Sequence, residues 1–288
     1  MGTQVAVLLP DSQAECARSV VDLFADWEQE LSRFRPASGL SRLNATAGRP
    51  ALAGLLLRRV VRRALDAAAA TDGVFDPLLG RQLEQVGYDV TFDCIASPPP
   101  SDAPATPGGE WRRVEVDDTA GVITLPAGAR LDLGGIAKGM AVDASISLLQ
   151  GLGVESALVN AGGDIAVIAQ PEGWPVEVQT HDGSAVVSLL RGAIATSTTR
   201  RRRWLQGGVE RHHLLDPASG LPACSEVRSA TVTANSCADA EVAAKVALVL
   251  GRDRGSRFLA ERGLTGLLVE DGRSTPVGSW PIPLAAAS

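Results

Sequence analysis

The sequence predicts an α+β fold with mixed, mostly antiparallel sheets and packed helices. Residues 176–181 and 184–190 flank Asp182-Gly183, and Gly162-Gly163 interrupts an apolar run over residues 158–167. Asp-Gly between two strand-like segments strongly indicates a hairpin, and a glycine pair between apolar runs indicates a second tight turn. Helical patterns are interspersed among these hairpin-joined strands, and this arrangement is typical of the α+β class.

Hydrophobic periodicity places the remaining elements. Val20, Phe24, Trp27 and Leu31 recur near helical spacing and predict the first helix. The helices are predicted at 14–34, 52–71, 139–150, 237–250 and 253–262, and further strands at 3–9, 114–116, 122–125 and 227–234.

Composition and charge exclude several classes of protein. The chain has 288 residues, 45% hydrophobic residues and a formal net charge of −6. The acidic balance argues against a general nucleic-acid binder, and no apolar run approaches the ~18 residues of a membrane helix. The N-terminus lacks the basic region of a signal peptide, which predicts a cytoplasmic protein unless translation starts upstream. Cys16, Cys94, Cys224 and Cys237 have no metal-ligand spacing, so free thiols are expected.

The stretch 95–110 is rich in Pro, Gly and Ser, and it predicts a loop without regular structure. It separates an N-terminal part, 1–94, from a C-terminal part, 111–280, of one predicted domain. The tail 281–288 is predicted to be loose.

The stretch LDLGGIAKGMAVD, residues 131–143, carries the strongest local signal for chemistry. We predict a strand end at 131–133, a sharp turn at Gly134-Gly135, and then an amphipathic helix. The free N–H groups that open a helix suit an anion such as a phosphate, and Lys138 would add a full positive charge. Taken alone, the segment favours the plainer interpretation, a tight strand-to-helix turn with Lys138 in solvent.

Together with ALVNAGGDIAV, this stretch resembles the signature of the ApbE family, the FAD:protein FMN transferases. The resemblance extends in order from Met1 to about Val269, and seven ordered segments are far more specific than one glycine motif. It implies an ApbE-like, T-fold-related architecture over residues 1–280. Further matching segments are MGT (1–3), LSRFRPASGLSRLN (31–44), DGVFDPLLG (72–80), AIATST (193–198) and HLLDPASGLP (213–222).

The resemblance implies an enzyme that binds FAD, uses a divalent cation (usually Mg²⁺) and cleaves the pyrophosphate. FMN would then be attached by a phosphoester to a Thr of a target flavoprotein, with release of AMP. Two alternatives stay open at this point. In one, water replaces the Thr and the protein is an FAD pyrophosphatase giving FMN and AMP. In the other, the protein binds FAD without turnover.

The resemblance also implies roles for individual residues. His213 would be a general base or phosphate partner, held by a turn that Asp216 and Gly220 build. Lys138 would be catalytic and, with Asp132 and Gly134, would contact the flavin nucleotide, while the Gly135 carbonyl would be a metal ligand. The FAD-site residues implied by position are Met1, Phe34, Val74, Phe75 and Asp76.

One helix departs from the family pattern. Members commonly place an Asp and, four residues later, a Thr as metal ligands, where this chain has Glu241 and Lys245. Glu can bind Mg²⁺, but a charged Lys cannot. An exposed i, i+4 ion pair is one interpretation. Because the helix is otherwise apolar, we favour the hypothesis that both residues face the pyrophosphate, with the Lys245 ammonium replacing part of the metal's charge.

Three other features are assigned less specific roles. His212 is predicted to be a bystander beside His213, and His181 is predicted to be solvated. The run Arg200–Arg203 is interpreted as a solvated face, with a phosphate contact or a dock for an acidic target segment as the less favoured alternative.

Overall fold

The computed structural model describes residues 3–96, 99 and 104–280, so the predictions for Met1 and for the tail 281–288 lie outside the described residues. The helices are α1 (Ala17–Leu31), α2 (Gly39–Ala45), α3 (Leu55–Ala70), α4 (Gly80–Gln85), α5 (Ala137–Gly151) and α6 (Cys237–Glu261). The strands are β1 (Val5–Leu8), β2 (Pro50–Leu52), β3 (Glu115–Asp117), β4 (Val122–Thr124), β5 (Ala157–Ala161), β6 (Asp164–Ile168), β7 (Trp174–Gln179), β8 (Ser184–Leu189), β9 (Gly192–Thr198), β10 (Arg203–Gln206), β11 (Val209–His212), β12 (Leu215–Asp216), β13 (Leu221–Pro222), β14 (Ser229–Ala234), β15 (Thr265–Glu270) and β16 (Arg273–Val277).

The described chain divides into two compact units that alternate along the sequence. Unit 1 comprises residues 25–137 and 199–224, and unit 2 comprises residues 3–24, 138–198 and 225–280. The prediction of one domain over residues 1–280 stays a prediction.

Unit 2 contains a seven-stranded sheet in the order β1-β5-β6-β9-β14-β15-β16, in which all neighbouring strands are antiparallel. Helix α6 packs on β9 and β14. Both predicted turns are confirmed: β7 and β8 form a hairpin around Asp182-Gly183, and Gly162-Gly163 joins β5 to β6. Gly162 and Gly163 have φ values of 70° and 103°, which favour glycine. The turn places Asp164 at the start of β6.

The two helices predicted at 237–250 and 253–262 are one element, α6, with a kink at Gly251. Gly251 has φ 77° and ψ 177°, a conformation open essentially to glycine alone. The Glu226 side chain accepts a hydrogen bond from the Arg252 N–H at 2.9 Å and so caps the segment after the kink. The helical conformation therefore breaks at Gly251, where the sequence predicted the boundary between the helices 237–250 and 253–262.

Unit 1 holds the small sheet β2-β4-β3, the pairs β10–β11 and β12–β13, and helices α2, α3 and α4. The prediction of one helix over 52–71 is wrong at its start, because Pro50–Leu52 pairs with β4 and α3 begins after Gly54. The sequence analysis did not predict α2 and α4, which are seven and six residues long. Ser38 caps α2, since its Oγ accepts the Ser41 N–H at 2.9 Å.

The first predicted helix, 14–34, is also shorter than expected. A 3-10 segment, Asp11–Cys16, precedes α1, which ends at Leu31. Among the described residues, no helix combines the length and the apolar composition that crossing a bilayer requires.

Candidate functional site

In unit 2, Lys138 lies in the first turn of α5 and binds two carboxylates. Its Nζ donates a hydrogen bond to Asp164 Oδ2 at 2.5 Å and another to Glu241 Oε1. The Lys138 side chain is 17% exposed, and those of Asp164 and Glu241 are each 5% exposed. The alternative that places Lys138 in solvent is therefore wrong. We call these three residues the lysine–carboxylate cluster.

The charges of the cluster change the pKa values of its members. Burial alone would lower the pKa of Lys138, but the charges of Asp164 and Glu241 and their hydrogen bonds raise it above its ordinary value. Burial raises the pKa of Glu241 to about 7; the charge of Lys138 opposes this rise, and the charge of Asp164 adds to it. The Lys138 ammonium thus stays protonated at neutral pH, whereas burial disfavours the charged form of Glu241.

Glycine at position 139 allows α5 to approach α6 closely enough to complete the cluster. A Cβ at Gly139 would lie 2.7 Å from backbone atoms of Cys237 and Ala238. The Gly139 N–H donates to Glu241 Oε2 at 2.8 Å. Asp143, one turn further along α5, caps α6 by accepting the N–H groups of Cys237 at 2.7 Å and Ala238 at 3.0 Å. The sequence stretch 131–143 therefore supplies both the lysine and the contacts that place Glu241.

These residues do not fit a divalent-metal site. Both oxygens of Glu241 accept hydrogen bonds, one from an ammonium and one from a backbone N–H. Across the described residues, no group of three or more His, Cys, Asp or Glu side chains is arranged to hold a metal. Because Glu241 is buried, the alternative of an exposed Glu241–Lys245 pair is wrong; Lys245 itself is half-buried.

In unit 1, Asp132 organises the glycine turn at residues 134–135. Its Oδ1 accepts the Gly134 N–H at 3.0 Å, and its Oδ2 accepts the Arg33 Nε–H at 2.6 Å. The predicted strand end at 131–133 is wrong, since these residues belong to no strand, although Arg130 beside them forms an isolated parallel bridge with Leu79. The Asn44 side chain binds both backbone polar groups of Leu131, as the backbone of a neighbouring strand would. Its Oδ1 accepts the Leu131 N–H at 2.8 Å, and its Nδ2 donates to the Leu131 carbonyl at 3.0 Å.

An aromatic cluster of Phe34, Tyr88 and Trp204 lies beside Arg33 in the same unit. The Tyr88 ring centroid lies 5.5 Å from those of Phe34 and Trp204. The Arg33 guanidinium lies over the Phe34 ring at 4.1 Å and the Tyr88 ring at 4.7 Å. Phe34, predicted to line the FAD site, is thus half-buried in contact with a cation.

The turn predicted at Asp216–Gly220 is present in unit 1. Asp216 Oδ1 accepts the Ala218 N–H at 3.0 Å, and its carbonyl accepts the Gly220 N–H at 2.8 Å. The neighbouring loop packs against this turn, since the Gly108 N–H donates to the Pro217 carbonyl at 2.8 Å. His213, the predicted base, is half-buried just before β12. His212 Nδ1 accepts the Leu214 N–H at 3.3 Å.

The predicted FAD-site residues at 74–76 have mainly structural contacts. Asp76 is 2% exposed, and its carboxylate accepts the N–H groups of Leu78 at 2.8 Å and Gly109 at 2.7 Å. It thereby holds Gly109 in place, at the end of residues 104–109, which lack regular secondary structure as predicted for loop 95–110. Phe75 is 1% exposed and belongs to the core, while Val74 is half-buried. Their role in lining the FAD site stays a prediction.

Comparison with known protein families matches residues 1–268 to the model described as "ApbE family". The chain belongs to the ApbE family. A Treponema pallidum protein named "FAD:protein FMN transferase" is 32% identical over 268 residues, covering 84% of this chain and 73% of its own length. A Klebsiella pneumoniae protein of the same name is 27% identical over 270 residues, covering 91% and 84%.

Solved structures of ApbE proteins share the fold. The Thermotoga maritima ApbE protein superposes with a TM-score of 0.82 at 25% identity, covering 95% of this chain and 92% of that protein. The apo form of Pseudomonas stutzeri flavinyl transferase ApbE gives a TM-score of 0.79 at 21% identity, covering 96% and 94%. The predicted family and the predicted α+β, ApbE-like fold class are confirmed.

The sequence analysis missed Asp164 of the lysine–carboxylate cluster, and it missed Arg33 and Asn44, which bind residues 131–132 before the glycine turn. Asp164 directly follows the predicted Gly162-Gly163 turn, so its position at a strand start was available as a signal. Arg33 and Asn44 both lie in the segment 31–44 that carries the resemblance, but their partners, Asp132 and Leu131, are 99 and 87 residues away in sequence. No local pattern identifies such partners.

Proposed function

We propose that this chain is an FAD:protein FMN transferase. It cleaves the pyrophosphate of FAD, attaches FMN by a phosphoester to a Thr of a target flavoprotein, and releases AMP. Membership of the ApbE family and the printed names of its relatives support the reaction class. The observation that carries the proposal is the buried ammonium of Lys138, which two carboxylates fix in the first turn of α5.

Phosphoryl transfer depends mainly on positioning and on positive charge near the phosphate oxygens. Lys138 supplies a fixed ammonium that can donate a hydrogen bond to a phosphate oxygen, and its raised pKa keeps it protonated at neutral pH. Because Asp164 and Glu241 balance the charge of Lys138, net positive potential has to come from other groups. The N–H groups that open α5 add the partial charge of a helix N-terminus. Asp164 and Glu241 hold the ammonium in one place, which limits the reorganisation needed when the nucleotide binds.

His213 is proposed as the base that takes the proton of the acceptor Thr hydroxyl. The Thr oxygen then bonds to the FMN phosphorus, while the bond from that phosphorus to the bridging oxygen breaks. The departing AMP carries the bridging oxygen and takes up a proton. Asp216 fixes the turn that follows His213 and so limits the movement of the histidine backbone.

No step of this mechanism passes through Mg²⁺, because the described residues do not fit a metal site. Part of the positive potential that a metal would provide is proposed to come from the α5 N–H groups and from the ammonium of Lys245, one helical turn after Glu241. Asp132 and Gly134 are proposed to hold the nucleotide at the glycine turn, and Phe34 to contact one of its rings.

Product analysis after incubation of the purified chain with FAD tests the proposal. The reaction is run in EDTA and in Mg²⁺, with and without an extract of the source organism's cells, and a denaturing gel is scanned for protein-bound flavin fluorescence. Fluorescent flavin that stays fixed to an extract protein, with release of AMP, supports the transferase. Free FMN and AMP without extract identify a pyrophosphatase, and bound, intact FAD identifies a binding protein; either result contradicts the proposal.

A further inference from the structure

Arg33 in unit 1 has surroundings that stability alone does not explain. Its side chain is 8% exposed and forms an ion pair with Asp132, Nε to Oδ2, at 2.6 Å. Its Nη2 is buried and has no hydrogen-bond partner among the described residues. Burying an unpaired donor costs free energy, and a buried ion pair brings little net stability in return.

Two aromatic rings contact the Arg33 guanidinium. Phe34 and Tyr88 both lie against it, at 4.1 and 4.7 Å from their ring centroids, and the two rings are themselves 5.5 Å apart. Contact with two rings that are inclined by 50° to each other limits the movement of the Arg33 side chain, so one direction of its Nε–H bond is favoured before any ligand binds.

Asp132 connects this guanidinium to the glycine turn. One carboxylate oxygen binds Arg33, and the other accepts the Gly134 N–H at 3.0 Å. The Asp132 carboxylate is 18% exposed, so protein contacts rather than water determine most of its orientation. A rotation of Asp132 would change the direction of the Gly134 N–H and with it the shape of the turn.

We propose that Arg33 is a positioning residue for flavin-nucleotide binding, acting through Asp132 on the Gly134–Gly135 turn. This inference rests on the proposed function, because it takes FAD as the ligand of the turn. Arg33 itself makes no contact with the reacting atoms. Its contribution is to hold Asp132 in the single orientation that keeps the turn ready for the nucleotide.

A double-mutant cycle in FAD affinity tests the proposal. Dissociation constants for FAD are measured by flavin fluorescence for wild type, Arg33→Met, Asp132→Asn and the double variant. Met keeps an apolar stem against the rings but cannot bind Asp132. We expect Arg33→Met to weaken FAD binding by about tenfold in the wild-type background, and by less than about twofold in the Asp132→Asn background. An equal effect in both backgrounds overturns the inference.

Two further variants separate positioning from stability. Arg58 is a matched control: its side chain is 15% exposed, and it pairs with Asp118 at 3.3 Å, away from the turn. Arg58→Met is expected to lower the melting temperature without weakening FAD binding. Arg33→Lys keeps the charge and is expected to bind FAD more tightly than Arg33→Met. If Arg33→Met does not fold, the cycle is run with Arg33→Lys under the same criterion of unequal effects.

The failures of the two proposals are distinguishable. If wild type does not bind FAD at all, the proposed function is wrong and this inference falls with it. If wild type binds FAD and Arg33→Met binds it equally well, the inference alone is wrong, and the transferase proposal stands.

Discussion

The Lys138 ammonium and the Asp164 carboxylate, 26 residues apart in sequence, form a hydrogen bond of 2.5 Å inside unit 2. Glu241, from a third element, completes the cluster on the other side of the ammonium. A glycine turn brings Asp164 to the start of β6, and a glycine in α5 lets α6 approach. The buried charges thus depend on glycines at positions 139, 162 and 163.

Replacing Lys138 by Met is expected to leave two buried carboxylates without a cation. Removing one partner of a buried ion pair costs about 3–5 kcal/mol of unfolding free energy. Without Lys138, the already raised pKa of Glu241 rises further, so the folded protein binds a proton that the unfolded chain releases. Stability therefore falls as the pH rises, and urea unfolding should show a larger loss at about pH 8 than at about pH 5. An equal loss at both pH values would contradict this assignment.

Gly139→Ala is expected to force α5 and α6 apart. The added Cβ would meet backbone at 2.7 Å, and overpacking of this kind costs about 1–3 kcal/mol. Gly151→Ala is the matched control on the same helix, because nothing lies within 4 Å of a Cβ there. Chemical denaturation should show Gly139→Ala destabilised and Gly151→Ala unchanged or slightly stabilised. Equal unfolding free energies for the two variants would show that the close approach is unimportant.

Gly251→Ala is expected to destabilise the kink in α6 by about 1–3 kcal/mol, because alanine is strained at φ 77° and ψ 177°. Thermal unfolding measures the loss. A melting temperature equal to that of wild type would mean that the helix straightens without cost, and the kink would then have no structural role.

Glu226→Gln tests the cap that follows the kink. The Arg252 N–H, which donates to this carboxylate, holds the pKa of Glu226 below its usual value. A lowered folded-state pKa contributes stability above the unfolded-state pKa of 4.5, and this stability is lost as the pH falls toward the folded-state value. The variant should therefore lose stability at neutral pH. Its free energy of unfolding should also fall less steeply than that of wild type as the pH is lowered. A profile that is parallel to that of wild type would be inconsistent with the cap.

FAD affinity is expected to be the same in EDTA and in Mg²⁺, because hydrogen bonds already occupy both oxygens of Glu241. The matched variant is Lys245→Thr, which removes the second ammonium and is expected to bind FAD more weakly in EDTA. Fluorescence titration measures both. If wild type requires Mg²⁺ for tight binding and Lys245→Thr behaves identically, the replacement of metal charge by lysine is wrong.

Local sequence signals predicted the features whose cause is local. The Gly162-Gly163 and Asp182-Gly183 turns follow from backbone preferences of adjacent residues, and ordered motifs predicted the family. The Glu226 cap on Arg252, the Arg33–Asp132 pair and the role of Asn44 depend on partners between 26 and 99 residues away. Lys138 combines the two cases: its helix position was predictable, but the carboxylates that bury it come from distant strands and helices.

Phosphorus labelling of FAD tests the central claim most directly. One preparation carries the label in the phosphate on the riboflavin side, and the other carries it in the phosphate on the adenosine side. Each is incubated with the purified chain and an extract of the source organism's cells. The account predicts that the riboflavin-side label becomes fixed to protein Thr and that the adenosine-side label leaves as AMP. Labels from both sides on protein, or from neither side, would contradict it.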